Sequence, residues 1–244
     1  MTQVVQPALN FASASRSHAG RVRELNEDRL VDRPDLGLWA VADGMGGHRA
    51  GEVASGMIVE ALEQVGGFRS GYAYLTAVCA ELQAVNGALV ACAAQTPGGG
   101  VMGATVVTLL IFEDHYACVW AGDSRAYRLR RGKLSQITRD HSLVQAMVEA
   151  GELTPQDARV HSKANVVTRA VGAAESLKLD VEHGPALAGD LFLLCSDGLT
   201  GAVEDAELEA LLACEGLAAA DDLLGLALMR GARDNVSFVL VGAS

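Results

Sequence analysis

The sequence predicts an α/β fold with mixed β-sheets and helices on their outer sides, and three observations support this. Short apolar runs such as 38–42 and 190–196 are bounded by glycine or polar residues, which is typical of buried strands. Two longer segments space their apolar residues as helices do, and three consecutive β-type segments are joined by short turns. The order of these elements argues against a regular Rossmann repeat.

Each element follows from the spacing of its apolar residues and from the residues that end it. Strands are expected at 11–15, 38–42, 104–112, 115–121, 124–130, 133–138, 190–196 and 235–241. Helices are expected at 52–65, 72–94, 142–150, from 154 onward, 205–214 and 219–230. Thr154 and Pro155 suit the N-cap and first turn of the short helix. The strands from 104 onward predict one antiparallel meander, because their connections are too short for helical crossovers.

Composition limits the classes of protein and partner. The chain has 244 residues, half of them apolar, which suits one large domain or two small ones, and no linker-like stretch divides it. With 19 Lys and Arg against 30 Asp and Glu, the formal charge is −11, which argues against nucleic acid or an acidic membrane as partner. Divalent cations are compatible with this charge, although a solvated acidic surface is its commoner cause.

The cysteines and the apolar runs indicate a cytoplasmic protein. The five cysteines are widely spaced without a Cys-x-x-Cys pair, and most lie in apolar context, so we expect buried, reduced thiols and no zinc site. The first ten residues lack the pattern of a secretory signal. The longest apolar run, near 106–112, is too short to span a bilayer. We expect a monomer that does not associate with membranes.

Three aspartates stand at the ends of predicted strands. Asp43 and Asp197 each follow a buried strand, and Asp234 precedes a third. If the third strand is antiparallel to the others, its beginning lies beside their ends and the three carboxylates converge. Unless cations neutralise their repulsion, at least one carboxyl would be protonated or the site would open, and hard oxygen ligands suit Mg²⁺ or Mn²⁺. Taken singly, each Asp is more often an ordinary turn residue than a ligand.

Further polar residues are weaker candidates. Asp123 lies between two predicted strands, where a capped hairpin turn is the simpler explanation. Arg23 stands beside Glu27 and Asp28; arginine binds phosphate or carboxylate through its fork, but a solvated charge run is the commoner case. His48 follows the glycines after Asp43 and could donate a proton, although a lone loop histidine is more often simply exposed.

Several catalytic patterns are missing from the sequence. It contains no Gly-x-Ser-x-Gly, no nucleotide-binding loop of the Gly-x-x-x-x-Gly-Lys type and no His-Glu-x-x-His. Ser196 lies beside Asp197 without a paired histidine, so a serine nucleophile has little support.

Seven short motifs of polar residues and glycines follow one another along the chain. They are Arg23-Glu24-Leu25-Asn26-Glu27-Asp28, Asp43-Gly44-Met45-Gly46-Gly47-His48, Gly103-Ala104-Thr105, Ala121-Gly122-Asp123-Ser124-Arg125, Asp140-His141-Ser142, Cys195-Ser196-Asp197-Gly198-Leu199 and Arg233-Asp234-Asn235. In this order they resemble the motifs of the metal-dependent protein phosphatases of the PPM (protein phosphatase 2C) family. Each is modest alone, whereas seven in the family's order are specific. The match covers about 12–241, and the compact length resembles the stand-alone bacterial branch.

The resemblance implies a single domain over 1–244: an α/β sandwich of two face-to-face, mainly antiparallel sheets, with helices outside both and a flap at about 145–175. It also implies two Mn²⁺ or Mg²⁺ ions and a weaker third. Asp43 would bridge the two ions, and Asp197 and Asp234 would complete one shell. The carbonyl of Gly44 would ligate the other ion.

Further residues take family roles by the same resemblance. Glu27 or Asp28 would serve the second ion, and Asp123 with Asp197 would hold the third. Arg23 corresponds to the phosphate-binding arginine. Eukaryotic members often carry histidine directly after the Asp-Gly pair as proton donor; Met45 stands there, as in many bacterial members, leaving a metal-bound water or His48.

The implied function is hydrolysis of phosphoserine and phosphothreonine in proteins by metal-activated water, without a covalent intermediate. The implied opponent is a eukaryote-like Ser/Thr kinase in the same bacterial cell. A catalytically inactive phosphatase fold, used as a sensor or scaffold, is a second hypothesis, but such proteins would be expected to lose ligand positions that are all filled here. A small-molecule phosphatase with the same centre is a third, and only a substrate panel separates it.

Overall fold

Ten strands and seven α-helices are present in the part of the chain that the computed structural model describes, residues 9–46, 50–96 and 100–244. The strands are β1 (Phe11–His18), β2 (Asp28–Arg33), β3 (Leu38–Met45), β4 (Gly103–Phe112), β5 (His115–Ala121), β6 (Arg125–Arg130), β7 (Lys133–Gln136), β8 (Asp180–Pro185), β9 (Leu191–Cys195) and β10 (Val236–Ala243). The helices are α1 (Ala50–Glu63), α2 (Gly71–Gln95), α3 (Leu143–Glu149), α4 (Pro155–Val160), α5 (Asp197–Thr200), α6 (Asp205–Glu215) and α7 (Ala220–Met229). A 3₁₀ turn at Gly216–Ala219 joins α6 to α7.

The strands form two five-stranded sheets. Sheet one has the order β1-β10-β9-β6-β7, and sheet two has the order β2-β3-β4-β5-β8. Every pairing between neighbouring strands is antiparallel. The expectation of mixed sheets from element order is therefore wrong in this respect, while the implied sandwich of two antiparallel sheets with outer helices is confirmed.

Three layers of apolar side chains hold this arrangement together. Residues of β3, β4, β9 and β10 meet between the sheets, where Trp39 and Phe192 are fully buried. Helices α1 and α2 pack on the outer face of sheet two, and α5, α6 and α7 pack on the outer face of sheet one. Burial of apolar surface on both faces of each sheet stabilises the fold by about 25 cal/mol per Å² removed from water.

The predicted meander is divided between the two sheets. Strand β5 belongs to sheet two, whereas β6 and β7 belong to sheet one. The chain crosses between the sheets at 122–124, so the short connection that suggested a hairpin is a crossing point. Asp123 lies on this crossing, which brings it into the candidate site described below.

Helix α2 is long and apolar enough, by length and composition alone, to cross a membrane. Its Tyr74, Val78 and Leu82 are buried in the cluster that packs on sheet two. Ser70 caps the helix by accepting a hydrogen bond from the Ala73 amide.

The prediction of buried thiols holds for some cysteines only. Cys118 and Cys195 are buried, and burial raises the pKa of both thiols. Cys79 is half-buried, whereas Cys92 and Cys214 are exposed on α2 and α6, where an apolar sequence context includes solvent-facing helix positions.

The segment predicted as a flap is anchored at several points. Residues Ser142 and Val167 form an antiparallel bridge, and a second bridge joins Ala104 to Val171. Thr154 caps α4 with Pro155 in its first turn, as predicted. On α4, Arg159 donates a hydrogen bond from Nη2 to the Thr200 carbonyl at 2.9 Å. The flap therefore contacts both β4 and the short helix α5.

Candidate metal centre

The register of sheet two places Asp28 directly beside Asp43. These residues are Cα partners in the β2–β3 pair, and Asp43 is also opposite Thr105 in the β3–β4 pair. Both aspartates lie at the same end of sheet two. Strand β3 continues through Asp43 to Met45. Asp43 therefore lies within the strand, near its end, and does not follow it.

Sheet one supplies two further acids at the same end of the sandwich. Asp197 is the first residue of α5, directly after β9, and Asp234 lies just before β10. Because β9 and β10 are antiparallel, with Cys195 opposite Phe238, the end of one strand lies beside the beginning of the other. The topological argument made from the sequence is thus confirmed for these two residues.

Burial and mutual repulsion raise the pKa of these carboxyl groups. Desolvation is the largest cause for each, and neighbouring aspartates add to it. The pKa of Asp28 and of Asp123 rises to about 7, that of Asp197 rises to about 6, and that of Asp43 rises well above the ordinary value. Acids from both sheets and Asp123 at the crossing thus raise one another's pKa values and form one electrostatic cluster.

Two buried carboxylate oxygens in the cluster lack a hydrogen-bond donor among the residues that the structure describes. They are Oδ1 of Asp28 and Oδ1 of Asp197. A buried oxygen without a donor is costly, and a bound cation is a usual reason for one. The donor set, oxygen atoms of aspartates, suits Mn²⁺ or Mg²⁺.

The side chains of these acids do not form a complete coordination site in the structure. Within the described ranges, no three His, Cys, Asp or Glu side chains meet closely enough to hold an ion as they stand. Asp234 is already engaged by Arg23, whose Nε donates to one of its carboxylate oxygens. The carboxyl groups of Asp28, Asp197, Asp123 and Asp234 each contribute to the raised pKa of Asp43, so the five acids belong to one electrostatic neighbourhood.

Arg23 is the cation next to this cluster. Its Nε and Nη2 donate to the two oxygens of Asp234 at 3.0 and 2.8 Å, a bidentate pair. The Arg23 side chain is 56 % exposed, so the guanidinium also faces solvent, where a phosphate group could reach it. Hydrogen bonding to Asp234 raises the pKa of Arg23.

The loop that carries Arg23 is fixed by Asn235, a residue of the Arg233-Asp234-Asn235 motif for which the sequence predicts no role of its own. Its Nδ2 donates to the carbonyls of Ala19 and Leu25 at 3.0 and 2.9 Å, and its Oδ1 accepts from the Glu27 amide at 2.8 Å. An Asn directly after a predicted metal ligand was the only available signal. Through these bonds Asn235 ties the loop to the start of β10.

Gly44 lies where no side chain fits. An added Cβ would stand 2.2 Å from the Gly51 carbonyl oxygen and 2.7 Å from that of Glu27. The Glu27 carbonyl also accepts hydrogen bonds from the Ser55 hydroxyl at 2.5 Å and from the Gly44 amide at 3.2 Å. Helix α1 therefore packs tightly against the end of β3 and brings Glu27 to the edge of the cluster.

Ser196 is buried and has a supporting position. Its hydroxyl donates to Oδ2 of Asp28 at 2.9 Å and accepts from the Ser237 amide at 3.1 Å. A hydroxyl used in this way is not free to attack a substrate, in agreement with the missing nucleophile motif. His48, the candidate proton donor, lies outside the described residues.

Comparison with known proteins identifies the family. The model of the family described as protein phosphatase 2C matches residues 16–220. The chain belongs to the protein phosphatase 2C family. Its predicted membership of this family is thereby confirmed, and the predicted sandwich fold is confirmed with it.

Relatives of this PP2C-family chain are named as bacterial serine/threonine phosphatases. It is 40 % identical over 228 residues to PstP of Mycobacterium tuberculosis, covering 93 % of the chain but 44 % of that relative. The chain thus spans less than half the length of the mycobacterial relative. It is 35 % identical to Stp of Listeria monocytogenes, with 93 % of each covered.

Solved structures agree with the fold of this PP2C-family chain. PppA, a key regulatory component of T6SS in Pseudomonas aeruginosa, superposes with a TM-score of 0.88 at 43 % identity, covering 96 % of this chain and 98 % of that one. The catalytic domain of PstP, in complex with two manganese ions, gives 0.85 at 37 % identity, covering 96 % and 99 %.

Proposed function

We propose that this chain hydrolyses phosphoserine and phosphothreonine in proteins with the help of two divalent metal ions. The observation that carries the proposal is the cluster of buried and half-buried aspartates from both sheets, which contains two buried carboxylate oxygens without donors among the described residues. Membership of the protein phosphatase 2C family and relatives named as Ser/Thr phosphatases support it.

The residues available to hold the ions fit the implied set. Asp43, whose pKa is raised by acids of both sheets, would serve both ions, and Asp197 and Asp234 would serve one of them. The carbonyl of Gly44 and either Glu27 or Asp28 would serve the other, and Asp123 with Asp197 would hold a weaker third. When bound, such ions activate a water molecule for attack on phosphorus and neutralise the phosphoryl charge. Mn²⁺ is supported by the manganese complex of PstP, and Mg²⁺ remains its alternative.

The remaining residues would bind the phosphate group or hold the metal ligands and Arg23 in place. Arg23 would bind phosphoryl oxygens with its exposed guanidinium, since a planar fork of donors matches them. Asn235 holds the Arg23 loop, and Ser196 orients Asp28. With the Ser196 hydroxyl buried and engaged, hydrolysis proceeds without a phosphoserine intermediate at this residue. The proton for the leaving alkoxide comes from water or from His48.

The cellular setting is part of the proposal. We infer a monomeric, cytoplasmic enzyme in which this chain forms one phosphatase domain, with its core at about 12–241 and a flap at about 145–175. It would act on phosphorylated proteins in bacterial signalling, opposed by a Ser/Thr kinase. The curated relatives support protein substrates through their names.

Asp43→Asn is the decisive variant. We expect it to lower hydrolysis of a phosphothreonine peptide in Mn²⁺ by at least about a thousandfold, because it removes the carboxylate common to both ions. Asp35→Asn is the matched control, since Asp35 is an exposed acid paired with Arg33 and far from the cluster in the fold. A chelator should abolish wild-type activity and Mn²⁺ should restore it. Wild-type hydrolysis in excess chelator, or full activity of Asp43→Asn, would contradict the proposal.

A further inference from the structure

The turn that carries Asp123 is held by a single histidine. The His141 amide donates to the Gly122 carbonyl at 2.9 Å, and the Gly122 amide donates to His141 Nδ1 at 3.0 Å. Both backbone polar groups of Gly122 are therefore satisfied by one residue. The histidine is distant in sequence, and its side chain is only 8 % exposed.

Gly122 is confined from the opposite side as well. Its φ of +126° is a backbone conformation that residues with side chains rarely adopt, and an added Cβ would stand 2.4 Å from the Cβ of Thr105. Thr105 in turn shares a hydrogen bond of 2.7 Å with Ser124, one residue beyond Asp123. The turn between the two sheets is thus enclosed between Thr105 and His141.

The imidazole of His141 is itself oriented by neighbours. Because Nδ1 accepts from Gly122, the neutral ring carries its proton on Nε2, which donates to Oδ2 of Asp180 at 3.1 Å. Arg169 Nη1 donates to the other oxygen of Asp180 at 2.8 Å and also lies 3.0 Å from Nε2 of the imidazole, so Asp180 and Arg169 both contact this end of the ring. Trp120 lies nearly parallel to the imidazole, with 9° between the planes and 6.1 Å between the centroids.

The same histidine also connects to the flap. Its carbonyl accepts from the Thr168 amide at 2.8 Å, and Arg169 follows in sequence. The ring of His141 therefore contacts both β8 and the Asp123 turn, its amide contacts the same turn, and its carbonyl contacts the flap at Thr168.

We propose that His141 is a positioning residue that fixes the Gly122–Asp123 turn for cation binding, with Asp180 and Arg169 holding its ring in place. This rests on the proposed function only in assigning Asp123 to a weak cation site. Supporting groups one shell beyond a metal typically alter its affinity by about 10- to 100-fold when removed.

The experiment compares two substitutions that keep different halves of the imidazole. His141→Asn places an amide oxygen near the position of Nδ1 and keeps the acceptor for Gly122, whereas His141→Gln reaches toward Nε2 and loses it. Hydrogen exchange of the Gly122 amide is measured by NMR without metal, and Mn²⁺ binding is measured by calorimetry. His183→Gln, an exposed position on β8, is the matched control.

We expect His141→Gln to speed exchange of the Gly122 amide by at least about tenfold and to weaken the weakest Mn²⁺ site by about 10- to 100-fold. His141→Asn should stay within about threefold of the wild type in both measurements, because the acceptor is retained. Asp180→Ala leaves residue 141 intact and should move both quantities in the same direction by smaller factors, which keeps the test decisive if His141→Gln does not fold.

Unchanged exchange at Gly122 in both His141→Gln and Asp180→Ala would overturn the inference, and so would equal weakening of Mn²⁺ binding by His141→Asn and His141→Gln. If the wild type lacked metal-dependent hydrolysis, the proposed function would fall. The exchange rate of the Gly122 amide would still decide the role of His141.

Discussion

Two aspartates in different parts of the molecule, Asp190 and Asp28, are equally buried but have different hydrogen-bond and charge partners. Each is 2 % exposed. Asp190 receives Nε and Nη2 of Arg130 at 2.6 and 2.5 Å and the Leu187 amide at 2.9 Å. Asp28 receives one hydroxyl, from Ser196, and its other oxygen has no donor within the described residues. The chain supplies a cation for the first aspartate, whereas the second suits a cation from outside.

The largest effect on stability is expected at the aspartate that has its own cation. Asp190→Asn should lower the free energy of unfolding by roughly 3 kcal/mol, because it leaves the Arg130 guanidinium without its carboxylate. Urea denaturation followed by circular dichroism measures this. The loss should be the same with and without Mn²⁺; a loss that Mn²⁺ reverses would link Asp190 to the cation site instead.

The pH dependence of Mn²⁺ binding tests the raised pKa values of Asp28 and Asp123. With pKa values of about 7, Asp28 and Asp123 retain protons at pH 6 and lose them by pH 8. A cation must displace those protons, so the apparent affinity should rise with pH, by about tenfold for each group between pH 6 and 8.

Calorimetric titrations at several pH values in the same salt measure this affinity. Asp123→Asn should reduce the dependence by removing one proton. An affinity that is flat from pH 6 to 8, or that falls, would contradict the raised pKa values.

The smallest expected effect has the opposite sign to that at Asp190. Asp197→Asn should raise the stability of the metal-free protein at pH 8 by about 1 kcal/mol, because desolvation and the nearby Asp234 disfavour the charged form of Asp197 and raise its pKa to about 6. The same variant should lose most of the stabilisation that Mn²⁺ gives the wild type. Thermal unfolding with and without Mn²⁺ gives both quantities. A lower melting temperature for the metal-free variant would show that Asp197 is already balanced by the protein.

The sequence was sufficient for the central strands but not for the edges of sheet two. Strands β3 and β4 are buried apolar runs and were predicted within a few residues. Strands β2 and β8 were missed; they are the two edges of their sheet, and β8 carries polar and partly exposed residues along its length. One solvated side removes the apolar pattern that identifies a strand.

The same distinction applies to the site. The convergence of Asp197 with Asp234 follows from antiparallel strands, and it could be inferred from their positions at strand ends. The roles of Asn235 and His141 could not, because each acts on backbone groups brought close only by the fold, at Leu25 and Gly122 respectively. Sequence also predicted Asp123 in a hairpin, since nothing local reveals that the chain changes sheets there.

That crossing and the acids on either side of it have a mechanical consequence. Asp43 belongs to sheet two and Asp197 directly follows a strand of sheet one, and the chain between them runs through 153 intervening residues, from 44 to 196. An ion bound to both would cross-link the two sheets at one end of the sandwich and resist their separation. Without the ion, we expect the sheets to separate first at the end that carries these aspartates, while the opposite end stays packed.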